Sequence, residues 1–299
     1  MSEALHAGAE RFSGFADLYD AVRPQPPALL GDLLAAYVGG RPRLVVDLGS
    51  GTGLSTRWAR TWADEAVGVE PSDDMRTAAA AAATPGVAFR AGWSHATGLP
   101  DRCADVVLAV QALHWMEPEP TFAEVARILR PGGVFAAVDC DWPPVVGDAA
   151  SEQAWETCRR RLRALEARAA SAVDDDDLRR PLTPAELADE AYSAADAHRD
   201  RTLPGALRSW AKSDHLRRMR ASGRFRWCRE VACVAEEQGD GARFLGLLRS
   251  QGDYQGLRRR GLSDADLGAD AFASVVADRL GDRPRPWWFV YRARLGVVA

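Results

Sequence analysis

The chain has 299 residues, 47% of them hydrophobic and 27% charged. That is enough for one large domain or two small ones around a sizeable core. The composition excludes a collagen, a disordered tail protein and a small disulfide-stapled scaffold. Apolar runs such as Val106–Val110 and Gly133–Val138 are far too short to span a bilayer. Met1–Glu10 carries no basic stretch followed by an apolar one. The expectation is therefore a soluble, cytoplasmic chain with no membrane partner.

The net charge of −4 divides into −8 over residues 1–150 and +4 over residues 151–299. Such asymmetry predicts two regions with different tasks, the second better suited to an anion. A net acidic chain is a poor nucleic-acid binder, so no nucleic-acid partner is expected. Lys212 is the one lysine among 38 basic residues, a bias that reads as genomic base composition. The five cysteines (Cys103, Cys140, Cys158, Cys228 and Cys233) are odd in number and lack metal-ligand spacing. They predict reduced thiols and no metal site.

In chain order, Leu44-Val45-Val46-Asp47-Leu48 reads as a buried strand. A helix over Leu54–Trp62 and a strand over Ala66–Val69 follow. Asp73–Ala83 is helical by alanine content, with Ser72 as its N-cap. Val87–Ala91 and Ala104–Val110 are further strands, and Thr121–Leu129 is an amphipathic helix stopped by Pro131-Gly132-Gly133. Val134–Val138 is a fifth strand. Strands alternating with helices predict an α/β, doubly wound parallel sheet. After Asp141-Trp142-Pro143-Pro144 the pattern changes. Ser151–Ser171 reads as a helix, Asp174–Asp177 as a solvated link, and residues 184–280 as mainly helical with breaks at Pro204-Gly205, Gly223, Gly239–Gly241 and Gly261. Residues from Pro286 to Leu295 return to strand character. Three regions result: 1–144, an α/β core; 145–280, a helical cap over the substrate; and 281–299, a strand rejoining the sheet.

The sharpest motif is Val45-Val46-Asp47-Leu48-Gly49-Ser50-Gly51-Thr52-Gly53 at a strand-to-helix turn. Glycines there let the backbone bend and come within van der Waals distance of a ligand, at the usual ligand crevice of an open parallel sheet. Glycines at 49, 51 and 53 do not follow the Gly-x-Gly-x-x-Gly spacing of dinucleotide folds. Asp47 just ahead of them would repel a pyrophosphate and suits a cationic amino-acid moiety. Glu70, ending Val67-Gly68-Val69-Glu70, can accept both hydroxyls of a ribose, as acids at that strand end do in nucleotide folds.

These residues resemble those of class I S-adenosylmethionine (SAM) methyltransferases. Within them the likeness is to the small-molecule type 11 group that includes the ubiquinone/menaquinone and trans-aconitate enzymes. The resemblance runs from Phe12 to Val138. Besides the glycine turn it rests on Phe12-Ser13-Gly14 and Tyr19-Asp20-Ala21-Val22-Arg23-Pro24, similar to the group's N-terminal lead-in. It rests also on Leu99-Pro100 with Ala104-Asp105-Val106-Val107, on Gln111-Ala112-Leu113-His114-Trp115 and on Leu129-Arg130-Pro131-Gly132-Gly133. The resemblance implies a Rossmann-like seven-stranded sheet with a helical cap insertion, SAM as cofactor and S-adenosylhomocysteine (SAH) as product. It further implies that Asp47, Gly49, Ser50, Gly51 and Gly53 hold the methionine part and that Glu70 binds the ribose. Ser72 and Met75 would flank ribose and adenine, Gln111 would stand beside the sulfonium, and Tyr19 and Arg23 would lie in the lead-in segment over the cofactor. Where the group carries an acid for the adenine amine this chain has His95, so Ser94, His95 or a backbone carbonyl remains open for that task.

His114 opens a helix at the crevice mouth and reads two ways, as general base or as a structural residue of its histidine-tryptophan pair. His6 lies near a terminus expected to be mobile, and His198 and His215 read as surface residues rather than bases. Trp93, Trp115 and Trp142 fall on loops above the sheet, where aromatic walls can hold a flat or cationic acceptor. Six arginines between Leu216 and Arg229 can clamp an anion or line a solvated helix face paired with Glu230, Glu236 and Glu237. The implied reaction is in-line methyl transfer to nitrogen, oxygen or carbon of a small-molecule acceptor, of the kind met in specialised metabolism. The chain would act as a monomer or homodimer. The alternative is a SAM-binding scaffold or regulator without turnover.

Overall fold

Leu44–Leu48 (β1) is a mainly apolar run whose last four residues are all buried, and it is an interior strand of a seven-stranded sheet. The computed structural model describes residues 16–171, 175–187, 200–203 and 207–299. The sequence features at Phe12-Ser13-Gly14, His6, His198 and Pro204-Gly205 lie outside these. Ahead of β1 come α1 (Ala16–Val22) and α2 (Ala28–Tyr37). After it come α3 (Leu54–Trp62), β2 (Glu65–Glu70), α4 (Asp73–Ala81), β3 (Val87–Ala91), β4 (Ala104–Val110), α5 (Pro118–Ile128) and β5 (Leu129–Cys140).

The strand order is β3-β2-β1-β4-β5-β9-β8, where β8 is Trp227–Gly239 and β9 is Arg285–Val297. The first five strands are parallel, and β9 runs antiparallel to β5. This is the seven-stranded Rossmann-like sheet that the resemblance implied, mixed rather than wholly parallel because β9 runs antiparallel to β5. Local chemistry sets the element ends. Ser72 accepts the Met75 amide as N-cap of α4, and Asp73 and Asp74 occupy its first turn, where the helix dipole favours acids. Pro118 stands in the first turn of α5, where no amide hydrogen is needed. That helix ends at Ile128, and Arg130–Gly133 belongs to β5 rather than to a separate turn.

The chain divides into two units. One comprises Gln25–Asp141, Trp210–Ala235 and Val290–Ala299; the other takes the described parts of Met1–Pro24, Trp142–Ser209 and Glu236–Phe289. In the first unit, Phe122, Phe135 and Phe225 form an aromatic cluster with centroids 5.8–6.1 Å apart. Burying three such rings contributes several kcal/mol in all. The second unit contains α6 (Ala149–Ser171), α7 (Asp175–Arg179), α8 (Pro184–Leu187) and the hairpin of β6 (Arg201–Leu203) with β7 (Leu207–Ser209). It also contains α10 (Gly241–Arg249), α11 (Gly252–Arg259), α12 (Asp264–Leu267) and α13 (Ala269–Arg279). Its core is a second aromatic cluster in which Trp155, Phe244, Phe272 and Trp287 are all buried.

Three readings of the sequence are corrected here. Residues 184–280 are not mainly helical throughout: Arg201–Leu203, Leu207–Ser209 and the 13-residue β8 are strands. The acidic run at 174–177 leads into α7 rather than forming a loose link, as far as its described residues go. The arginine segment does not share one helix face, being split between α9 (His215–Ala221), a turn and the start of β8. Arg217 and Arg218 pair with Asp214, and Arg224 with Glu119.

Candidate functional site

The carboxyl ends of β1, β2, β4 and β5 gather the chemistry-bearing residues of the first unit. Asp47 pairs with Leu108 across β1 and β4, and Val110 with Val138 across β4 and β5. Leu108 pairs with Ala136 in turn, so Asp47, Leu108 and Ala136 share one row. With strands roughly 5 Å apart, Asp47 lies about 10 Å from Ala136 on β5.

Gly49, Gly51 and Gly53 have φ of 64°, 53° and 82°, a left-handed region that side chains with a Cβ rarely adopt. At Gly53 a Cβ would also overlap the Phe89 ring. At Gly51 a Cβ would meet nothing within 4 Å, so the backbone there is bare on its outer side. The Gly51 amide donates to Glu70 Oε2 at 3.0 Å, and the Ser72 amide donates to Glu70 Oε1 at 2.9 Å. The acid at the end of β2 is thus tied to the turn after β1. Burial raises the Glu70 pKa against these hydrogen bonds.

Asp47 is fully buried and accepts hydrogen bonds from Ser55 Oγ and Thr56 Oγ1, both at 2.7 Å, which pin α3 to β1. Its other oxygen, Oδ1, and Ser50 Oγ are buried without a hydrogen-bond partner among the described residues. Burial pushes the Asp47 carboxyl up to about 6, against the two hydroxyl hydrogen bonds. Met75 is 4% exposed on α4. Ser94 shares a hydrogen bond with Thr121 Oγ1 at 2.9 Å, and the His95 ring stacks on Trp93 at 6.3 Å. Tyr19 and Arg23 belong to the second unit. There Arg23 lies over the Tyr19 and Trp142 rings at 4.7 and 4.9 Å and donates to the Ser250 hydroxyl and carbonyl.

Beyond β4, Gln111 has φ 54°. His114 sits in a short 3-10 turn, Leu113–Trp115, rather than opening an α-helix. Its Nδ1 lies 3.8 Å from Asp139 Oδ1. Asp139, near the end of β5, also receives Lys212 at 3.0 Å and Arg294 at 2.7 Å, with His215 Nε2 at 4.0 Å. Burial disfavours the Asp139 charge, but Lys212, His215, His114 and Arg294 outweigh it and hold the carboxyl well below its ordinary range. His215 is 1% exposed, not a surface residue, and burial lowers it to about 4. The sequence reading assigned no site role to Asp139, Lys212 or Arg294 and placed His215 at the surface. The only signal there was the singularity of Lys212. Among the described residues no group of three or more His, Cys, Asp or Glu could hold a metal ion.

A glycine turn bared at Gly51, bonded to an acid on the neighbouring strand, lies within the segment 46–137 that matches the family described as methyltransferase domain. That segment of the chain is similar to a methyltransferase domain. Over 124 residues, 41% of this chain and 49% of the relative, it is 40% identical to an uncharacterized methyltransferase of Mycobacterium tuberculosis. It is 35% identical over 121 residues to a trans-aconitate 2-methyltransferase of Methylobacterium radiotolerans, covering 40% of this chain and 45% of that one. The chain thus spans about half the length of the curated relatives it matches. The fold is shared with a solved protein of Anaeromyxobacter dehalogenans described as a type II methyltransferase. That likeness has TM-score 0.60 and 22% identity, covering 92% of this chain and 97% of the other. A protein of Anabaena variabilis, described as a methyltransferase from an antibiotic biosynthesis pathway, has TM-score 0.50 at 16% identity, with 89% and 97% covered. Both likenesses are of fold. Among the described residues no helix is long and apolar enough to cross a membrane.

Proposed function

We propose that the chain is a SAM-dependent methyltransferase acting on a small-molecule acceptor. The observation that carries this reading is the Glu70 carboxylate bonded to Gly51 in a turn that is bare on its outer side. The donor set fits an adenosyl amino acid. Asp47 Oδ1 and Ser50 Oγ are buried polar atoms without partners among the described residues, and each Glu70 oxygen keeps a lone pair for a ribose hydroxyl. When bound, SAM supplies an activated methyl group, so the protein's share is placement.

Gly49, Ser50, Gly51 and Gly53 would hold the methionine end, with Asp47 acting from behind the turn. Glu70 would take the ribose hydroxyls, Ser72 and Met75 would border ribose and adenine, and Ser94 or His95 would lie toward the amine. Gln111 would stand at the acceptor side, and Tyr19 and Arg23 would belong to the lead-in segment. His114 would act as general base where the acceptor is an alcohol or phenol; an amine or carboxylate needs none. Asp139, held ionised, favours the imidazolium that forms when His114 takes a proton. The name of the Methylobacterium relative makes a polycarboxylate the first acceptor to screen, ahead of the phenols and amines of specialised metabolism.

Calorimetric titration with SAM, SAH and NADH, repeated on Glu70→Ala, tests the proposal. Binding of the two adenosyl compounds but not NADH, weakened in the variant, supports it. NADH binding without SAM binding would replace it with a dehydrogenase. SAH binding with no turnover on any screened acceptor would favour a non-catalytic SAM-binding scaffold.

A further inference from the structure

Five side chains of the first unit form one hydrogen-bonded line. Arg294 donates Nε to Glu230 Oε2 at 2.6 Å and Nη1 to Asp139 Oδ2 at 2.7 Å. Lys212 Nζ reaches Asp139 Oδ1 at 3.0 Å and donates to Gln111 Oε1 at 2.7 Å. The line ends on Gln111, whose Nε2 donates to the Cys140 carbonyl at 3.2 Å and whose backbone amide donates to the Val138 carbonyl at 2.7 Å.

Gln111 is one of two non-glycine residues with positive φ among the described residues. A side chain in that region is strained and persists only where the surroundings over-determine it. Here both ends of the glutamine amide and its backbone N–H are fixed. The residue that closes the line is the one lysine among 38 basic residues. An arginine fork would take the Asp139 carboxylate with two parallel donors. An ammonium spreads its three donors apart, so it can serve Asp139 and Gln111 together.

We propose that Lys212 is a positioning residue of the adenosyl site. It holds Gln111 in its left-handed conformation directly after β4, the strand paired with β1, so that the acceptor-side wall is formed before the ligand arrives. This rests on the adenosyl-binding reading above. The rival account is that Lys212 merely neutralises buried Asp139.

Two measurements on the whole chain separate them: the SAH dissociation constant by calorimetry and the thermal midpoint. The proteins are wild type, Lys212→Met, Asp139→Asn/Lys212→Met, Gln111→Ala and Gln111→Ala/Lys212→Met. Lys212→Met is expected to lower the midpoint and to weaken SAH about tenfold. Removing the Asp139 charge as well should leave the affinity reduced. Gln111→Ala/Lys212→Met should bind no more weakly than Gln111→Ala, because the two residues act as one. Affinity that returns in Asp139→Asn/Lys212→Met, losses that multiply, or a Lys212→Met protein that binds SAH like wild type overturns the proposal. A wild type that binds no SAH overturns the adenosyl reading and this inference with it.

Discussion

Lys212 and Asp139, 3.0 Å apart, form an ion pair in which the carboxylate is 5% exposed and the ammonium 22%. Arg294, 5% exposed, takes the other carboxylate oxygen. Two cations on one buried acid make the acid the keystone, because a buried charge left without its partner is costly. Asp139→Asn is expected to destabilise the protein by about 3 kcal/mol at pH 7, read from urea unfolding. The folded carboxyl titrates below its ordinary range. Its contribution is therefore complete above the unfolded value near 4 and is lost as pH falls below that. The gap between wild type and variant should close on acidification. A gap that is small at pH 7, or constant with pH, would show that the ion pairs contribute little.

His215 is shifted from 6.5 to about 4, with burial as the main cause and the nearby Arg294, Lys212 and Arg218 adding to it against Asp139. The unfolded chain then binds a proton that the folded one refuses, so stability rises between about pH 4 and 6.5 and is fully present above that window. His215→Gln should remove this slope. Relative to the variant, wild type is expected to lose up to about 3 kcal/mol between pH 7 and pH 4. Parallel stability curves for the two proteins would contradict a buried neutral imidazole.

Asp47 has the opposite sign. Its carboxyl rises from 3.8 to about 6 through burial, so the folded state holds the proton more tightly than the unfolded one. Its contribution is present below about pH 4 and is lost as pH climbs through 6. Asp47→Asn should therefore gain on wild type by up to about 3 kcal/mol between pH 4 and pH 7. Thermal or urea unfolding at those two pH values measures it, and a variant that falls behind as pH rises would refute the assignment.

The legible part of the fold was the part whose side chains face one environment. β1 and β4 match the sequence reading residue for residue, and both are nearly continuous apolar runs, buried apart from Leu44 and Val110 at their ends. β8 was missed because it lies last in the sheet order, with charges set among small apolar residues and mostly exposed positions. His215 was misread because Lys212, Asp214, Arg217 and Arg218 surround it in sequence, while its burial is decided by contacts with distant strands. The glycine turn and Glu70 were legible because backbone conformation and strand ends leave local traces. The Asp139–Lys212–Gln111 contacts leave none, since the three residues come from different elements and meet only when the sheet is assembled.

Gly51 and Gly53 offer the clearest separation of folding from binding. Both are left-handed, at φ 53° and 82°, so alanine costs on the order of 1 kcal/mol of backbone strain at either. At Gly53 the new Cβ would also overlap the Phe89 ring, and overpacking of that kind adds about 1–3 kcal/mol. At Gly51 nothing lies within 4 Å of it. Gly53→Ala is thus expected to unfold at clearly lower urea than Gly51→Ala. Gly51→Ala should stay close to wild type in stability yet lose at least about tenfold in SAH affinity, roughly 1.4 kcal/mol, because the added methyl occupies the space kept for the ligand. Calorimetry on both folded variants decides the point. A Gly51→Ala protein that binds SAH like wild type would mean that the ligand does not approach the turn at this glycine.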